Sequence, residues 1–155
     1  MVAANTTETA SIVILLVDDD PDCRMLIRDA IDDCKVSNLI YEVSDGQEAL
    51  EFLRNPNNPR PGLIYLDIEM PRRNGLDTLA EIKADAQLRE IPVVMMTGVC
   101  DEAQMTKAAD LGANSYTIKP ANGEQFLRTV LNSTSYWLTI HQYPNHHLDA
   151  RLARR

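Results

Sequence analysis

At 155 residues, the chain is long enough for one domain with a sizeable hydrophobic core. Hydrophobic residues make up 45% of the sequence and charged residues 25%, which is typical of a globular protein. The net charge of −8 argues against a nucleic-acid-binding protein, because phosphate backbones are bound by basic surfaces.

Short apolar runs alternate with helix-like segments along the chain. In chain order we predict a strand at 12–17, a helix near 21–34, a strand at 39–43, a helix at 45–54, a strand at 63–67, a helix near 76–86, a strand at 92–96, a helix at 101–110, a strand at 114–118 and a helix from about 122. Buried runs of this length, spaced by helices, are typical of parallel sheets. Five strands that alternate with five helices therefore predict an α/β fold, a doubly wound sandwich.

Several residues mark the ends of these elements. Asp20 can cap the first helix, and Pro21 suits its first position. The segment 55–61 is a loop by composition, and Gly112 stops the fourth helix. These signals place the ends of the helices and strands at the positions where the apolar pattern also ends.

Four of the apolar runs end on residues that can take part in chemistry. These residues are Asp18, Asp19 and Asp20 after the first strand, Asp67 at the end of the third, Thr97 after the fourth and Lys119 after the fifth. The carboxyl ends of parallel strands lie along one edge of a sheet, and ligands bind in the crevice there. Gathering several carboxylates at that edge is costly unless a divalent cation and a phosphate-like anion bind with them. The pattern therefore predicts a protein that handles a phosphoryl group on a carboxylate.

The sequence also indicates a cytoplasmic protein without a membrane partner. Residues 1–11 have neither the basic start nor the apolar core of a signal peptide, and no window is apolar over the length needed to span a bilayer. Three cysteines, an odd number without framework spacing, indicate reduced thiols. Cys23 and Cys34 fall on an apolar stripe with helical spacing, so we expect both to be thiols in the core or flanking it, while Cys100 lies in a predicted loop.

Four segments, taken together, resemble the receiver domain of two-component response regulators. They are LLVDDD (Leu15–Asp20), LIYLDIEMPRRNG (Leu63–Gly75), VVMMTG (Val93–Gly98) and GANSYTIKP (Gly112–Pro120). The resemblance covers roughly Ile12 to Leu131 in the right order and spacing. It implies a flavodoxin-like five-stranded sheet of order 2-1-3-4-5. It also implies that the domain takes a phosphoryl group from a phosphohistidine on a sensor histidine kinase.

The resemblance assigns the acidic residues to phosphoryl transfer. Asp67 matches the phosphoacceptor, whose carboxylate attacks phosphorus and forms an acyl phosphate. Asp18 and Asp19 match the acidic pair that holds Mg²⁺, with Mn²⁺ as a substitute. A hard cation prefers oxygen ligands, so Asp19, Asp67 and the backbone carbonyl of Glu69 would bind directly and Asp18 mainly through water.

The resemblance also implies roles for the residues after the fourth and fifth strands. Lys119 matches the positive charge that contacts the phosphoryl oxygens, and we expect Pro120 to fix its approach through a cis peptide bond. Thr97 matches the hydroxyl that contacts the phosphoryl group. Tyr116 matches the aromatic switch that turns inward when Thr97 moves, which would couple phosphorylation to the surface of the fourth and fifth helices and the fifth strand.

Other interpretations stay open beside this one. Asp18 and Asp19 could be turn residues, Thr97 a structural hydroxyl and Tyr116 an ordinary edge-strand aromatic. We expect a signalling domain with intrinsic phosphotransfer and autodephosphorylation chemistry rather than an enzyme. One alternative is a degenerate receiver that serves only as a docking module. Another is a phosphatase of the haloacid dehalogenase type. The segment Asp67-Ile68-Glu69 loosely resembles the acidic pair of that family, although its members have a longer chain with a cap.

We divide the chain into an N-terminal tail at 1–11, a receiver domain at 12–133 and a C-terminal extension at 134–155. The residues after the receiver are too few for a helix-turn-helix or an enzyme domain. The segment SYWLTIHQYP (Ser135–Pro144) resembles stand-alone regulators of phytochrome-type histidine kinases. Four side chains in it, Tyr136, Trp137, Leu138 and Ile140, form a surface that is apolar on nearly all sides. We expect this surface to form a homodimer, the alternative being that it folds back on its own domain.

Overall fold

A five-stranded parallel sheet organises the protein in the computed structural model, which describes residues 12–33, 39–71, 73–120 and 122–136. The elements are β1 Val13–Val17, α1 Pro21–Asp33, β2 Leu39–Val43, α2 Gly46–Arg54, β3 Leu63–Asp67, α3 Gly75–Ala84, β4 Val93–Thr97, α4 Glu102–Asp110, β5 Ser115–Ile118 and α5 Gly123–Ser135. The strand order is β2-β1-β3-β4-β5 and every neighbouring pair is parallel. The predicted fold class and strand order are confirmed.

Two separate hydrophobic cores lie on opposite faces of the sheet. Alternate strand residues such as Leu15 and Leu66 pack against α2, α3 and α4. Their neighbours in sequence, such as Leu16 and Tyr65, pack against α1 and α5. Side chains of a strand point to opposite faces in turn, so strands that are apolar throughout must be covered on both sides. This arrangement explains why the strand sequences read as continuous apolar runs.

The predicted boundary signals agree with the structure. The carboxylate of Asp20 accepts a hydrogen bond from the backbone N–H of Asp22 at 2.9 Å, which caps α1. Gly112 follows α4 with a φ of +97°, a conformation that glycine adopts readily. Cys23, a residue of α1, is buried in the core as expected, and Cys100 is exposed, whereas Cys34 lies outside the described residues.

Lys83, near the end of α3, ties together the loops at the amino-terminal edge of β4 and β5. Its ammonium donates to the carbonyl oxygens of Arg89 (3.0 Å) and Ile91 (3.1 Å) and to Oδ1 of Asn114 (3.1 Å). Burial lowers the pKa of Lys83, because charge is costly away from water. Three well-placed acceptors offset that cost, so the ammonium acts as a cross-link between two loops.

We therefore expect Lys83→Met to lower the free energy of unfolding by about 1–3 kcal/mol, because the carbonyl oxygens of Arg89 and Ile91 lose the ammonium donor and Asn114 keeps only the N–H of Val93. Urea denaturation followed by circular dichroism measures the change. Lys107→Met, which removes an exposed lysine of α4, is the control and should change stability by less than about 0.5 kcal/mol. Equal effects of the two substitutions would contradict the cross-linking role.

Among the described helices, none is long and apolar enough to cross a membrane.

Candidate functional site

The carboxyl ends of β1, β3, β4 and β5 meet at one edge of the sheet. The strand register pairs Val17 with Leu66, Asp67 with Met96, and Thr97 with Ile118. The polar residues that end or follow these strands therefore share one region, as the strand pattern predicts.

Three carboxylates form a cluster at this edge. Asp18, Asp19 and Asp67 each place a carboxylate oxygen within 4.8 Å of the other two. Asp18 and Asp67 are 2% and 6% exposed, whereas Asp19 is exposed, so the cluster is buried at its base and open to solvent on one side. A set of ligands made only of oxygen atoms fits a hard divalent cation such as Mg²⁺ or Mn²⁺.

Lys119 supplies a positive charge inside this cluster. Its Nζ lies 2.7 Å from Oδ2 of Asp18 and 3.3 Å from Oδ1 of Asp67. The backbone N–H of Lys119 donates to the carbonyl oxygen of Thr97 at 2.6 Å, which ties the segment after β5 to the end of β4. Burial alone would lower the pKa of Lys119, but the hydrogen bond and charge of Asp18 and the charge of Asp67 raise it above its ordinary value. The lysine is therefore charged at neutral pH.

The Lys119–Pro120 peptide bond is trans, so the expected cis bond is wrong. The hydrogen bond to Thr97 already brings the lysine to the carboxylates. These contacts form with the trans bond, which is the intrinsically more stable X–Pro isomer by about 0.5–1 kcal/mol.

Burial raises the pKa of Asp67 to about 6. The charge of Lys119 acts in the opposite direction, while the charges of Asp18 and Asp19 raise the pKa further. The ionised carboxylate of Asp67 is therefore destabilised by the loss of its hydration, and a cation beside it would offset that loss.

This shift predicts a pH dependence of folding in the absence of metal. The pKa of Asp67 is higher in the folded chain than its ordinary value of 3.8, so its neutral form favours folding below pH 3.8 and that contribution is lost as the pH rises through about 6. Asp67→Asn removes the charge. In EDTA, its stability advantage over wild type should grow between about pH 4 and 7, to at most about 3 kcal/mol. Denaturant melts at several pH values measure this difference, and a difference independent of pH would contradict it.

Thr97 ends β4, and Tyr116 lies in the neighbouring strand β5, two residues before Ile118, which is the register partner of Thr97. Thr97 is fully buried, and its hydroxyl oxygen accepts a hydrogen bond from the backbone N–H of Val99 at 3.2 Å. Tyr116 packs against the core on the α4 face, and its hydroxyl oxygen is shielded from solvent beside the hydroxyl of Thr97. Burial raises the pKa of Tyr116. The structure thus places both residues near the site, and their switch role stays a prediction.

Two features of the site escaped the sequence interpretation. Arg24 on α1 donates from Nη1 to the backbone carbonyl oxygen of Asp18 at 2.8 Å. Gly75, at the start of α3, packs so closely on β3 that a Cβ atom there would lie 2.1 Å from the carbonyl oxygen of Asp67. Both contacts are made to the backbone of an acidic residue. The residue types of Arg24 and Gly75 do not predict such contacts, and only their positions close to the site in the sequence point to them.

For the remaining predicted site and interface residues, the structure gives exposure alone or does not describe them. Glu69 is exposed in the loop after β3, and the role of its carbonyl stays a prediction. Tyr136 follows α5 and is 47% exposed. Trp137, Leu138 and Ile140 lie outside the described residues.

Cys23 also borders the cluster. Burial raises the pKa of Cys23 to about 12, and the neighbouring Asp18 carboxylate adds to the effect. The thiol is therefore neutral at physiological pH, which fits the core role predicted for it.

Comparison with known proteins agrees with this geometry. The family described as the response regulator receiver domain matches residues 14–131. Response regulator Rcp1 from Synechocystis sp. is 33% identical over 130 residues, which cover 81% of this chain and 88% of Rcp1.

Solved structures show the same relationship. The crystal structure of the phosphorylated cyanobacterial phytochrome response regulator RcpA has a TM-score of 0.84 at 35% identity and covers 87% of this chain and 99% of RcpA. The Mn²⁺-bound form of Rcp1 has a TM-score of 0.82 at 32% identity and covers 86% of this chain and 99% of that chain.

Proposed function

This chain belongs to the response regulator receiver family and acts in two-component phosphorelay signalling, and we propose that Asp67 is the residue that receives its phosphoryl group. The observation that carries the proposal is the meeting of three carboxylates and one ammonium at the carboxyl edge of the sheet. Asp67 ends the central strand β3, with Asp18 on one side and Lys119 within ion-pair distance.

In the proposed reaction, a carboxylate oxygen of Asp67 attacks the phosphorus of a phosphohistidine on a sensor histidine kinase. The new P–O bond forms as the P–N bond of the donor breaks, which leaves an acyl phosphate on Asp67 and a free histidine on the kinase. Lys119 contributes a positive charge toward the transferring phosphoryl oxygens. Its contact with Asp18 holds the ammonium in place before the donor arrives.

The oxygen cluster would hold Mg²⁺, with Mn²⁺ as a substitute. We assign Asp19, Asp67 and the backbone carbonyl of Glu69 as direct ligands and Asp18 as a ligand mainly through water. When bound, the cation offsets the repulsion among the carboxylates and the charge on the transferring oxygens. The Mn²⁺-bound form of the relative Rcp1 supports this choice of metal.

Thr97 and Tyr116 form the proposed switch. Once Asp67 is modified, the hydroxyl of Thr97, whose oxygen accepts from the N–H of Val99, would donate its hydrogen to a phosphoryl oxygen. The hydroxyl oxygen of Tyr116 is shielded beside Thr97, so a move of Thr97 toward the phosphoryl group would change the surroundings of the phenol. The modification adds about −1.5 to −2 charges beside it. The readable surface would be that of α4, β5 and α5.

Phosphorylation by a small donor tests the proposed function directly. Acetyl phosphate with Mg²⁺ should add one phosphoryl group to the chain, detected by intact mass spectrometry, and EDTA should prevent it. No labelling and no binding of beryllofluoride would favour a docking module instead. Steady turnover of p-nitrophenyl phosphate would favour a phosphatase of the haloacid dehalogenase type.

The proposed donor is a histidine kinase of the phytochrome type in the cytoplasm. RcpA is a cyanobacterial phytochrome response regulator, and its similarity to this chain extends over 87% of the sequence. A phosphorylated phytochrome-type kinase should transfer its label to this chain faster than an unrelated kinase does.

We also propose a homodimer built on the end of α5 and the segment that follows. The hydroxyl of Tyr65 in β3 lies 3.3 Å from Oγ of Ser133, which anchors the last turns of the helix on the domain. Tyr136, three residues later, is 47% exposed, and Trp137, Leu138 and Ile140 follow it in sequence. A run of large apolar residues in the sequence, such as this one, is typical of an interface.

Sedimentation velocity tests the dimer. We expect the full chain to dimerise at micromolar concentration and a chain that ends at Asn132 to stay monomeric. Runs with and without beryllofluoride show whether modification of Asp67 changes the equilibrium. A full chain that is monomeric at high micromolar concentration in both states would rule the dimer out.

A further inference from the structure

Arg24 contacts the backbone of the acidic cluster from outside it. Its Nη1 donates to the carbonyl oxygen of Asp18 at 2.8 Å, and its side chain is 19% exposed. Nε of the same guanidinium is buried and lies 3.5 Å from Oε1 of Glu42 in β2. The guanidinium therefore bridges the loop after β1 and the neighbouring edge strand.

The carbonyl that Arg24 holds belongs to the peptide bond between Asp18 and Asp19. A peptide unit is planar, so the direction of this oxygen also sets the direction of the N–H and Cα of Asp19. The amino side of the loop is fixed separately, because the N–H of Asp18 donates to the carbonyl oxygen of Val43 at 3.2 Å. Asp19 is the exposed member of the cluster, and the direction of its backbone sets the position from which its carboxylate reaches the other two.

We propose that Arg24 is a positioning residue for the metal site, acting through the Asp18–Asp19 peptide to aim the carboxylate of Asp19 into the cluster. The inference rests on the proposed Mg²⁺-dependent function. Groups that orient metal ligands from outside the ligand set commonly change metal affinity by about 10–100-fold when removed.

Charge and geometry make opposite predictions for this residue. A guanidinium near three carboxylates repels a divalent cation, so by charge alone its removal would strengthen Mg²⁺ binding. If Arg24 aims Asp19, its removal weakens Mg²⁺ binding in spite of the lost repulsion. The sign of the change therefore separates the two effects.

Arg28 provides a matched control. It lies one turn further along α1 and donates from Nη2 to Oε2 of the same Glu42 at 2.7 Å, with 39% of its side chain exposed. Arg28→Met removes one positive charge and one partner of Glu42 and leaves the Asp18 carbonyl contact in place.

Isothermal titration with MgCl₂ at fixed ionic strength tests the proposal on the full chain. Arg24→Met should raise the Kd for Mg²⁺ about tenfold, and Arg28→Met should change it by less than about twofold. Arg24→Lys keeps the charge and one donor, so it should fall between wild type and Arg24→Met. With acetyl phosphate as donor, Arg24→Met should need more Mg²⁺ for half-maximal labelling and regain most of the wild-type rate at saturating Mg²⁺.

Wild-type or tighter Mg²⁺ binding by Arg24→Met would overturn the inference and leave the proposed function intact. If Arg24→Met does not fold, Arg24→Lys decides, and wild-type affinity there would overturn the inference as well. Failure of the wild-type chain itself to bind Mg²⁺ would overturn the proposed function and this inference with it.

Discussion

Asp67→Asn should abolish phosphorylation by acetyl phosphate and Mg²⁺. The substitution keeps the size of the buried side chain and replaces the nucleophilic carboxylate with an amide, which does not form an acyl phosphate. We expect no labelled species by intact mass under conditions in which the wild-type chain is fully labelled. The loss should exceed about a hundredfold in rate, because no other carboxylate of the cluster ends β3.

Asp20→Asn is the matched control for this experiment. Asp20 is exposed next to the cluster and caps α1, and asparagine caps a helix as well as aspartate does. Its labelling should equal that of wild type. Stoichiometric labelling of Asp67→Asn would show that the acceptor is a different residue.

Gly75→Ala should destabilise the domain by about 2–4 kcal/mol or prevent folding. The added Cβ would lie 2.1 Å from the carbonyl oxygen of Asp67 and 2.8 Å from Cα of Ile68, which are backbone atoms that a side-chain rotation cannot move away. The N–H of Gly75 also donates to the carbonyl oxygen of Ile68 at 2.8 Å, so the start of α3 is fixed against the end of β3. Thermal and denaturant melts measure the loss.

Gly98→Ala is the control, because a Cβ at Gly98 meets nothing within 4 Å. It adds the same methyl group beside the same site, and we expect a change of less than about 0.5 kcal/mol. A Gly75→Ala chain as stable as Gly98→Ala would show that the close approach of α3 to Asp67 relaxes without cost.

The sequence predicts most of the fold because its strands are buried on both faces. Runs such as Leu63–Leu66 are apolar at every position, and the polar residue that ends each run marks the carboxyl edge of the sheet. Helix ends were less sharp: the third helix was predicted near 76–86 and spans Gly75–Ala84, because Asn74 caps it one residue earlier. Capping depends on backbone geometry that the apolar pattern does not contain.

The candidate site was predictable as a set of side chains and less so as a set of contacts. Asp18, Asp19, Asp67 and Lys119 meet where parallel strands end, and that follows from topology alone. Three features depend on backbone positions, which one sequence does not reveal. They are the trans bond before Pro120, the hydrogen bond from Arg24 to the carbonyl oxygen of Asp18, and the close approach of Gly75 to β3.

The position of Lys119 has a consequence for how metal enters the pocket. Three carboxylates and one ammonium leave two negative charges, which is the amount that one divalent cation neutralises. A monovalent cation would leave the pocket charged, and a trivalent one would reverse its sign. Because the ammonium of Lys119 already contacts carboxylate oxygens of Asp18 and Asp67, an incoming cation would compete with it for these oxygens. The affinity for Mg²⁺ would then be the free energy of an exchange, in which a monovalent cation gains less from the carboxylates than a divalent one does.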